Sequence, residues 1–165
     1  MIAPILVFGW GNPSRGDDAL GPLCVAALAE RLPKPWRDHI EFQEDYQLQV
    51  EHALDMVGRQ RVLFIDASLT AITPFEVTTL QAANDASMTT HAMSPQALMQ
   101  VYHRLQNQPP PPCTLLAIRG ETFELGQPLS ANAQNHLEAA VQWVLGCDST
   151  VVEAMTAQTM TLGCV

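Results

Sequence analysis

The sequence predicts an α/β protein: a three-layer α/β/α sandwich around a mainly parallel, twisted sheet of about five strands. Short strand-like runs alternate with helical patterns along almost the whole chain, an order that calls for a parallel sheet with helices on both faces. The runs at 4–8 and 61–66 are rich in apolar residues, as in strands buried on both faces. The 165 residues suffice for one such domain and are too few for two.

The first half of the chain is predicted to form three strands and two helices. In chain order they are a strand at 4–8, a helix at 18–32, a strand at 39–44, a short helix at 50–57 and a strand at 61–66. Pro33 and Pro35 are expected to stop the first helix, and Gly58 to close the second. The strand at 61–66 ends in the carboxylate of Asp66.

The second half is predicted to add two strands and two helices. They are an alternating edge strand at 75–80 paired next to the strand at 61–66, a helix from Ser94, a proline connector at 109–112, a strand at 114–118 and a helix from Ser130 to Gly146. Ser94 and Ser130 are the predicted N-caps. The residues expected to face inward are Leu98, Val101, Tyr102 and Leu105 on one helix and Ala133, Leu137, Val141 and Val144 on the other. We predict one domain over 1–147 and a loose, disordered tail at 148–165.

Charge and cysteine usage exclude several classes of protein. Seventeen acidic residues against eight Lys and Arg give a net charge of −9, which argues against nucleic acid or an anionic membrane surface as partner. The four cysteines are scattered, as expected for reduced thiols rather than a zinc site or a disulfide framework. The apolar N-terminal run is too short for a signal peptide or a membrane span. We expect a cytoplasmic monomer.

Three segments bring polar residues to the carboxyl edge of the predicted sheet, where open α/β sheets bind ligands. They are the loop 9–18 with Asp17 and Asp18, the strand-ending Asp66, and the loop 87–91 with His91. Two carboxylates and an imidazole suit a borderline divalent transition metal. Each part also has a structural explanation: the two aspartates can cap a helix start, Asp66 can bond loop amides, and a lone histidine is commonly a surface residue.

The glycine loop also permits a nucleotide-binding interpretation. Gly9 and Gly11 follow a strand, and acidic residues at 41–45 stand where a ribose-binding acid would lie. However, Ser14 occupies the third glycine position and Pro13 stiffens the turn, so the dinucleotide fingerprint is broken.

Three motifs, in order and spacing, resemble the [NiFe]-hydrogenase maturation proteases. Residues 8–21 resemble that family's opening signature, G-x-G-N-x-x-x-x-D-D/E-x-x-G. Residues 64–67 resemble its strand-ending aspartate, and residues 90–95 its histidine loop. The segment 45–52 departs from the commonest pattern, D-G-G-T-x-G, and with 119–126 it looks like the subgroup that serves cytoplasmic NAD-reducing, or bidirectional, hydrogenases.

The resemblance implies an endopeptidase that removes the C-terminal extension of the hydrogenase large-subunit precursor after nickel insertion. The family's nickel-contacting residues correspond to Asp18, Asp66 and His91, and the Ni²⁺ itself is carried by the substrate. Asp18 or Asp66 would activate water, with Asp17 as support or as a helix cap. Because the ligands must be ionised carboxylates and a neutral imidazole, activity is expected to fall below the histidine titration range.

Two alternatives stay open at this point. A nickel-binding accessory protein or chaperone would use the same three ligands without cleaving anything. A nucleotide-binding Rossmann-like enzyme would use the glycine loop instead. Loss of Ni²⁺ binding in His91→Ala would favour the metal-based interpretations, and only turnover separates the protease from the accessory protein.

Overall fold

Five strands form one twisted sheet in the order β2-β1-β3-β5-β4. The computed structural model describes residues 1–83 and 93–146. The strands are β1 Ile5–Trp10, β2 Ile40–Asp45, β3 Arg61–Ser68, β4 Phe75–Thr79 and β5 Cys113–Arg119. β1, β2, β3 and β5 run parallel, and β4 runs antiparallel to β5. The predicted α/β fold with a mainly parallel sheet of about five strands is confirmed.

Helices cover both faces of the sheet and create two cores. The helices are α1 Leu20–Arg31, α2 Lys34–Arg37, α3 Pro95–Gln106 and α4 Ala131–Gly146. On β1, Ile5 and Val7 belong to the core under α1 and α4, whereas Leu6 and Phe8 belong to the core under α3. Successive strand residues point to opposite faces, so a strand covered on both sides needs apolar residues at every position.

The edge strand β4 was predicted next to β3, and this placement is wrong. β5 lies between them, paired with β3 on one side and with β4 on the other. Leu116 and Ile118 of β5 are fully buried, whereas Glu76 to Thr79 of β4 are exposed. The more apolar strand, β5, therefore takes the covered interior position. As a result, β4 pairs with β5, which comes much later in the sequence, and not with β3, which directly precedes it.

Two smaller expectations also fail. The helix predicted at 50–57 is a single 3₁₀ turn, Val50–Ala53, followed by turns that Gly58 closes at φ +76°. Leu105 was predicted on the inner face of α3, yet it is 58% exposed, because the helix packs through Leu98 and Tyr102. The tail at 148–165 and the domain boundary at 147 lie outside the described residues and stay predictions.

The N-terminus of α1 approaches the sheet unusually closely, and glycine makes this approach sterically allowed. A Cβ atom on Gly21 would lie 2.3 Å from the Trp10 carbonyl oxygen and 2.9 Å from that of Ile65. A Cβ atom on Gly9 would lie 2.6 Å from the Gly21 carbonyl oxygen. The start of α1 is thereby held against the ends of β1 and β3. Among the helices of the two described ranges, none has the length and apolarity needed to span a membrane.

Candidate functional site

Asp66 lies near the carboxyl end of β3, beside the point where the pairing with β1 ends at Gly9 and Ile65. It is not the last residue of its strand, as was predicted, since β3 continues to Ser68. Its carboxylate accepts hydrogen bonds from the Ala67 backbone and the Trp10 side chain. Burial, reinforced by the negative charge of Asp18, outweighs these bonds and raises the pKa of Asp66 to about 7.

Asp18 reaches the same edge from a 3₁₀ turn, Gly16–Ala19, that leads into α1. Its Oδ2 accepts the backbone N–H of Asn12 at 2.8 Å, which ties the turn back to the glycine loop. Gly11 adopts φ +147°, and a Cβ atom there would lie 1.8 Å from the Asp18 carbonyl oxygen. The glycine is therefore required by the packing of this turn, which accounts for it without any bound nucleotide.

The structure brings Asp18 and Asp66 together, near enough for the charge of one to shift the pKa of the other. The third predicted ligand, His91, lies in the segment 84–92, outside the described residues, so its role stays a prediction. Within 1–83 and 93–146, no three His, Cys, Asp or Glu side chains are grouped closely enough to hold a metal ion. The described part of the site is thus a pair of carboxylates.

Asp17 is used differently from its neighbour. It is fully buried, and its carboxylate accepts four hydrogen bonds, from Glu121 N at 2.7 Å, Thr122 N at 3.1 Å, Ser130 N at 2.7 Å and Ser130 Oγ at 2.8 Å. Burial alone would raise the pKa of Asp17, but these bonds lower it below its usual value. All four bonds come from the segment that follows β5. The geometry therefore favours a supporting role for Asp17 over that of a helix cap.

The segment after β5, residues 120–130, is fastened to the loop before α1. Gly16 N donates to the Gln127 carbonyl at 3.1 Å, and Gly126 N donates to the Ser14 carbonyl at 2.7 Å. Ser130 joins the two segments to α4, since its Oγ also accepts the Ala133 N–H at 3.2 Å as the predicted N-cap. This connection is not visible in the sequence, where Ser130 carries a cap signal but nothing indicates the acid that the cap meets.

A cleft of about 370 Å³ opens beside Asp18. Its lining residues are Asn12, Arg15, Asp18, Tyr46, Gln47 and Phe123. They come from the glycine loop, from the segment after β2 and from the segment after β5. The segment 45–52, which departs from the commonest pattern, and the segment 119–126, which the sequence singles out together with it, therefore both contribute to the wall of this cleft.

A buried histidine holds the wall that follows β2. His52 is 7% exposed, its Nδ1 accepts the Gln49 N–H at 2.9 Å, and its Nε2 lies 3.2 Å from Asp45 Oδ2. Because Nδ1 accepts a hydrogen bond from Gln49, the ring proton lies on Nε2, which donates a hydrogen bond to Asp45. The other oxygen of Asp45 accepts the Tyr46 N–H at 2.6 Å. Asp45 is thus engaged within the protein, which disfavours this one acid of the range 41–45 as the ribose ligand of the nucleotide interpretation.

The fold built around this carboxylate pair is the α/β fold of the hydrogenase maturation proteases. A [NiFe]-hydrogenase maturation protease HycI from Thermococcus kodakarensis KOD1 aligns with a TM-score of 0.66 and 17% identity, over 87% of this chain and 91% of its own. The hydrogenase maturating endopeptidase HybD from Escherichia coli aligns with a TM-score of 0.66 and 25% identity, over 87% and 90%.

A second E. coli protein, described as an endopeptidase, aligns with a TM-score of 0.64 and 26% identity, over 86% of this chain and 90% of its own. No model of a known protein family matches the chain, and no curated protein does either. The likeness to named maturation endopeptidases nevertheless covers most of both chains, and it supports a peptidase role.

Proposed function

We propose that this protein is an endopeptidase that removes the C-terminal extension of a [NiFe]-hydrogenase large-subunit precursor after nickel has been inserted. The observation that carries the proposal is the fold of maturation endopeptidases with Asp18 lining an open cleft and Asp66 near enough for the charge of Asp18 to raise its pKa. A place of action in the cytoplasm follows from the same proposal.

Nickel acts in this proposal as part of the substrate. A Ni²⁺ ion with open coordination positions in the precursor would be met by Asp18, Asp66 and His91, whose oxygen and nitrogen donors suit a borderline metal. The enzyme thereby recognises only precursors that already hold nickel. The bound metal fixes the scissile peptide bond next to the carboxylates and polarises its carbonyl group.

Asp66 is the better candidate for the general base. In the absence of metal, burial raises its pKa to about 7, so this carboxylate is basic enough to take up a proton near neutral pH. One carboxylate oxygen can accept the proton of the attacking water while the other faces the metal. The proton then passes to the departing amine as the peptide bond breaks. Asp18 is assigned to metal contact, and Asp17 to holding the turn that carries Asp18.

The partner is proposed to be a hydrogenase of the NAD-reducing, bidirectional subgroup. The two segments that resemble this subgroup, 45–52 and 119–126, supply Tyr46, Gln47 and Phe123 to the cleft wall. Residues on that wall would touch the precursor rather than perform the chemistry. Differences there would accordingly change which precursor is accepted.

A processing assay tests the proposal. The purified protein is mixed with nickel-loaded or nickel-free precursor, and cleavage is followed as a shift on a gel. We expect cleavage of the loaded precursor alone, reduced roughly 100-fold or more in Asp18→Ala, which loses a metal contact. Asp38→Ala is the matched control, because Asp38 is exposed and pairs with Lys34 on α2. Binding of the loaded precursor without cleavage would identify a nickel-binding accessory protein instead.

A further inference from the structure

Arg15 is a cation in the wall of the cleft, and no carboxylate of residues 1–83 and 93–146 pairs with it. Its Nε donates to the Phe123 carbonyl at 3.2 Å, which fixes the plane of the guanidinium group. In the part of the chain that the structure describes, nothing accepts from its two terminal nitrogens and no carboxylate forms an ion pair with it. Two parallel donors on a fixed plane are left for a ligand.

Other cations of this acidic protein are used within the fold. The chain has only eight Lys and Arg residues. Arg31 pairs with Glu138, Lys34 with Asp38, and Arg59 with Glu41. Arg15 instead lines the same cleft as Asp18. Arg37 and Arg119 likewise bond backbone carbonyls and form no ion pair with a described carboxylate, so what distinguishes Arg15 is its place in the cleft beside Asp18.

The chemistry of the cleft indicates what that partner is. A guanidinium fork matches a carboxylate through two parallel hydrogen bonds. The amides of Asn12 and Gln47 and the hydroxyl of Tyr46 line the same space and supply further donors. Asp18 is the acidic residue among those that line the cleft, and its negative charge favours a cationic group of the ligand. The cleft therefore presents both an anionic group, Asp18, and a cationic group, Arg15, to what it binds.

We propose that Arg15 binds a carboxylate of the protein substrate, so that the cleft fixes the direction in which the substrate lies. This inference rests on the proposed function: the cationic centre of the precursor meets Asp18, and a carboxylate of the extension meets Arg15. The carboxylate belongs either to an acidic side chain or to the chain terminus of the extension. Arg15 is a specificity-determining residue in this scheme and takes no part in the bond cleavage.

Variants of Arg15 test the inference through binding and cleavage measured side by side. Arg15→Glu should weaken binding of the nickel-loaded precursor and raise KM, both roughly 10- to 100-fold, with kcat nearly unchanged. Arg15→Gln should weaken binding and raise KM less than Arg15→Glu does. Arg15→Lys should lie between the wild type and Arg15→Gln, because it keeps the charge without the fork. Circular dichroism melts establish that each variant is folded.

Arg37→Glu is the matched control. Arg37 is also exposed and also makes one bond, at 3.2 Å, to a backbone carbonyl, that of Ala29. It lies on α2, which leads into the start of β2 and hence belongs to the opposite edge of the sheet. We expect binding and cleavage by this variant to equal those of the wild type.

Altered precursors distinguish the two sources of the carboxylate. A precursor in which one acidic residue of the extension is replaced by lysine should be bound and cleaved by Arg15→Glu better than the unchanged precursor. If the chain terminus is the ligand, amidation of the terminus should instead remove the difference between wild type and Arg15→Gln.

The two proposals fail in different ways. If Arg15→Glu binds and cleaves the precursor as well as Arg37→Glu does, the inference about Arg15 is overturned and the proposed function stands. If the precursor is bound in an Arg15-dependent manner but never cleaved, the protease function is overturned and the carboxylate site stands.

Discussion

Asp66 and Asp17 show how hydrogen bonding decides the state of a buried carboxylate. Asp17 is the more completely buried, yet its four donors lower its pKa. Among the described residues, the Ala67 backbone and the Trp10 side chain donate to Asp66, and burial and the neighbouring charge of Asp18 prevail over these bonds and raise its pKa to about 7. Asp17, which has a structural role, is therefore stably ionised. Asp66, which is assigned to the chemistry, can exchange a proton near neutral pH.

Replacing Asp66 by asparagine is expected to stabilise the fold while abolishing cleavage. A raised pKa means that the native state holds a proton which the unfolded state releases, so stability is lost as pH rises from about 4 to about 7. The neutral amide of the Asp66→Asn variant escapes this loss. The gain should be absent near pH 4, grow through that window and level off above it at no more than about 4 kcal/mol, or roughly 10 °C in Tm.

Thermal melts at pH 4, 6 and 8 measure the effect. Asp38→Asn serves as the control, since the pKa of Asp38 is lowered by Lys34 and its contribution changes only in acid. A gain for Asp66→Asn that is equal at pH 4 and pH 8 would show that the charge of Asp66 is not what strains the native state.

The same ionisation predicts how cleavage depends on pH. Contact with a nickel-loaded precursor requires Asp66 ionised and His91 neutral, so kcat/KM should fall as pH drops below about 7. Binding measured near pH 7 should release protons, which calorimetry in buffers of different ionisation enthalpy detects. Constant kcat/KM down to pH 5 would contradict the assignment of these two ligands.

At the scale of elements, the segment 120–130 is held in place by one carboxylate. Asp17→Asn keeps the shape but loses the charge, and it turns an N–H₂ group either toward Ser130 N or toward Glu121 N and Thr122 N. We expect a loss of about 1–3 kcal/mol at neutral pH. Since the pKa of Asp17 is lowered, its contribution is present above the usual aspartate range and vanishes as pH falls through the lowered value.

Denaturant unfolding at pH 7 and pH 3 checks this prediction. The difference between wild type and Asp17→Asn should narrow at the lower pH. Limited proteolysis should also cut the variant within 120–130 faster than the wild type. Equal cutting rates would mean that backbone bonds, such as that from Gly126 to Ser14, hold the segment without Asp17.

The contact of α1 with the sheet gives a second prediction for elements. In Gly21→Ala the new methyl group would lie 2.3 Å from the Trp10 carbonyl, so α1 must move away from β1 and β3. We expect a destabilisation of about 2 kcal/mol or more. Gly146→Ala is the control with the opposite sign: apart from its chain neighbours and its own helix, no atom of the described residues lies within 4 Å of its added methyl group, and the residue ends α4. Thermal melts of both variants compare the two.

At the scale of the whole molecule, the sheet order predicts which parts open first. β1 and β3 are bonded on both sides and contain Leu6, Phe8, Phe64 and Ile65, all fully buried. β4 has one bonded neighbour and largely exposed residues. Amide hydrogen exchange followed by mass spectrometry should be slowest in β1 and β3 and markedly faster in β4. Protection of β4 equal to that of β3 would indicate that another chain covers this edge.

Sequence patterns sufficed for the features that are local or that follow from strand burial. The apolar runs located β1 and β3, and the rule that ligands bind at the carboxyl ends of strands placed Asp18 and Asp66 at one edge. The position of β4 was not accessible in this way, since its partner β5 lies more than 30 residues further along the chain. The role of Asp17 could not be predicted from the sequence either, because a pattern typical of a helix start does not reveal which distant loop the acid contacts.

The two sides of the cleft differ in how freely they can change during evolution. On one side, Gly9, Gly11 and Gly21 permit backbone contacts that any other residue would obstruct, so almost every substitution there displaces Asp18. On the other side, Tyr46 and Gln47 are exposed, and their exchange would alter only what the cleft meets. A lineage of such proteins can therefore acquire new partners by drift on one wall while its carboxylates keep their places.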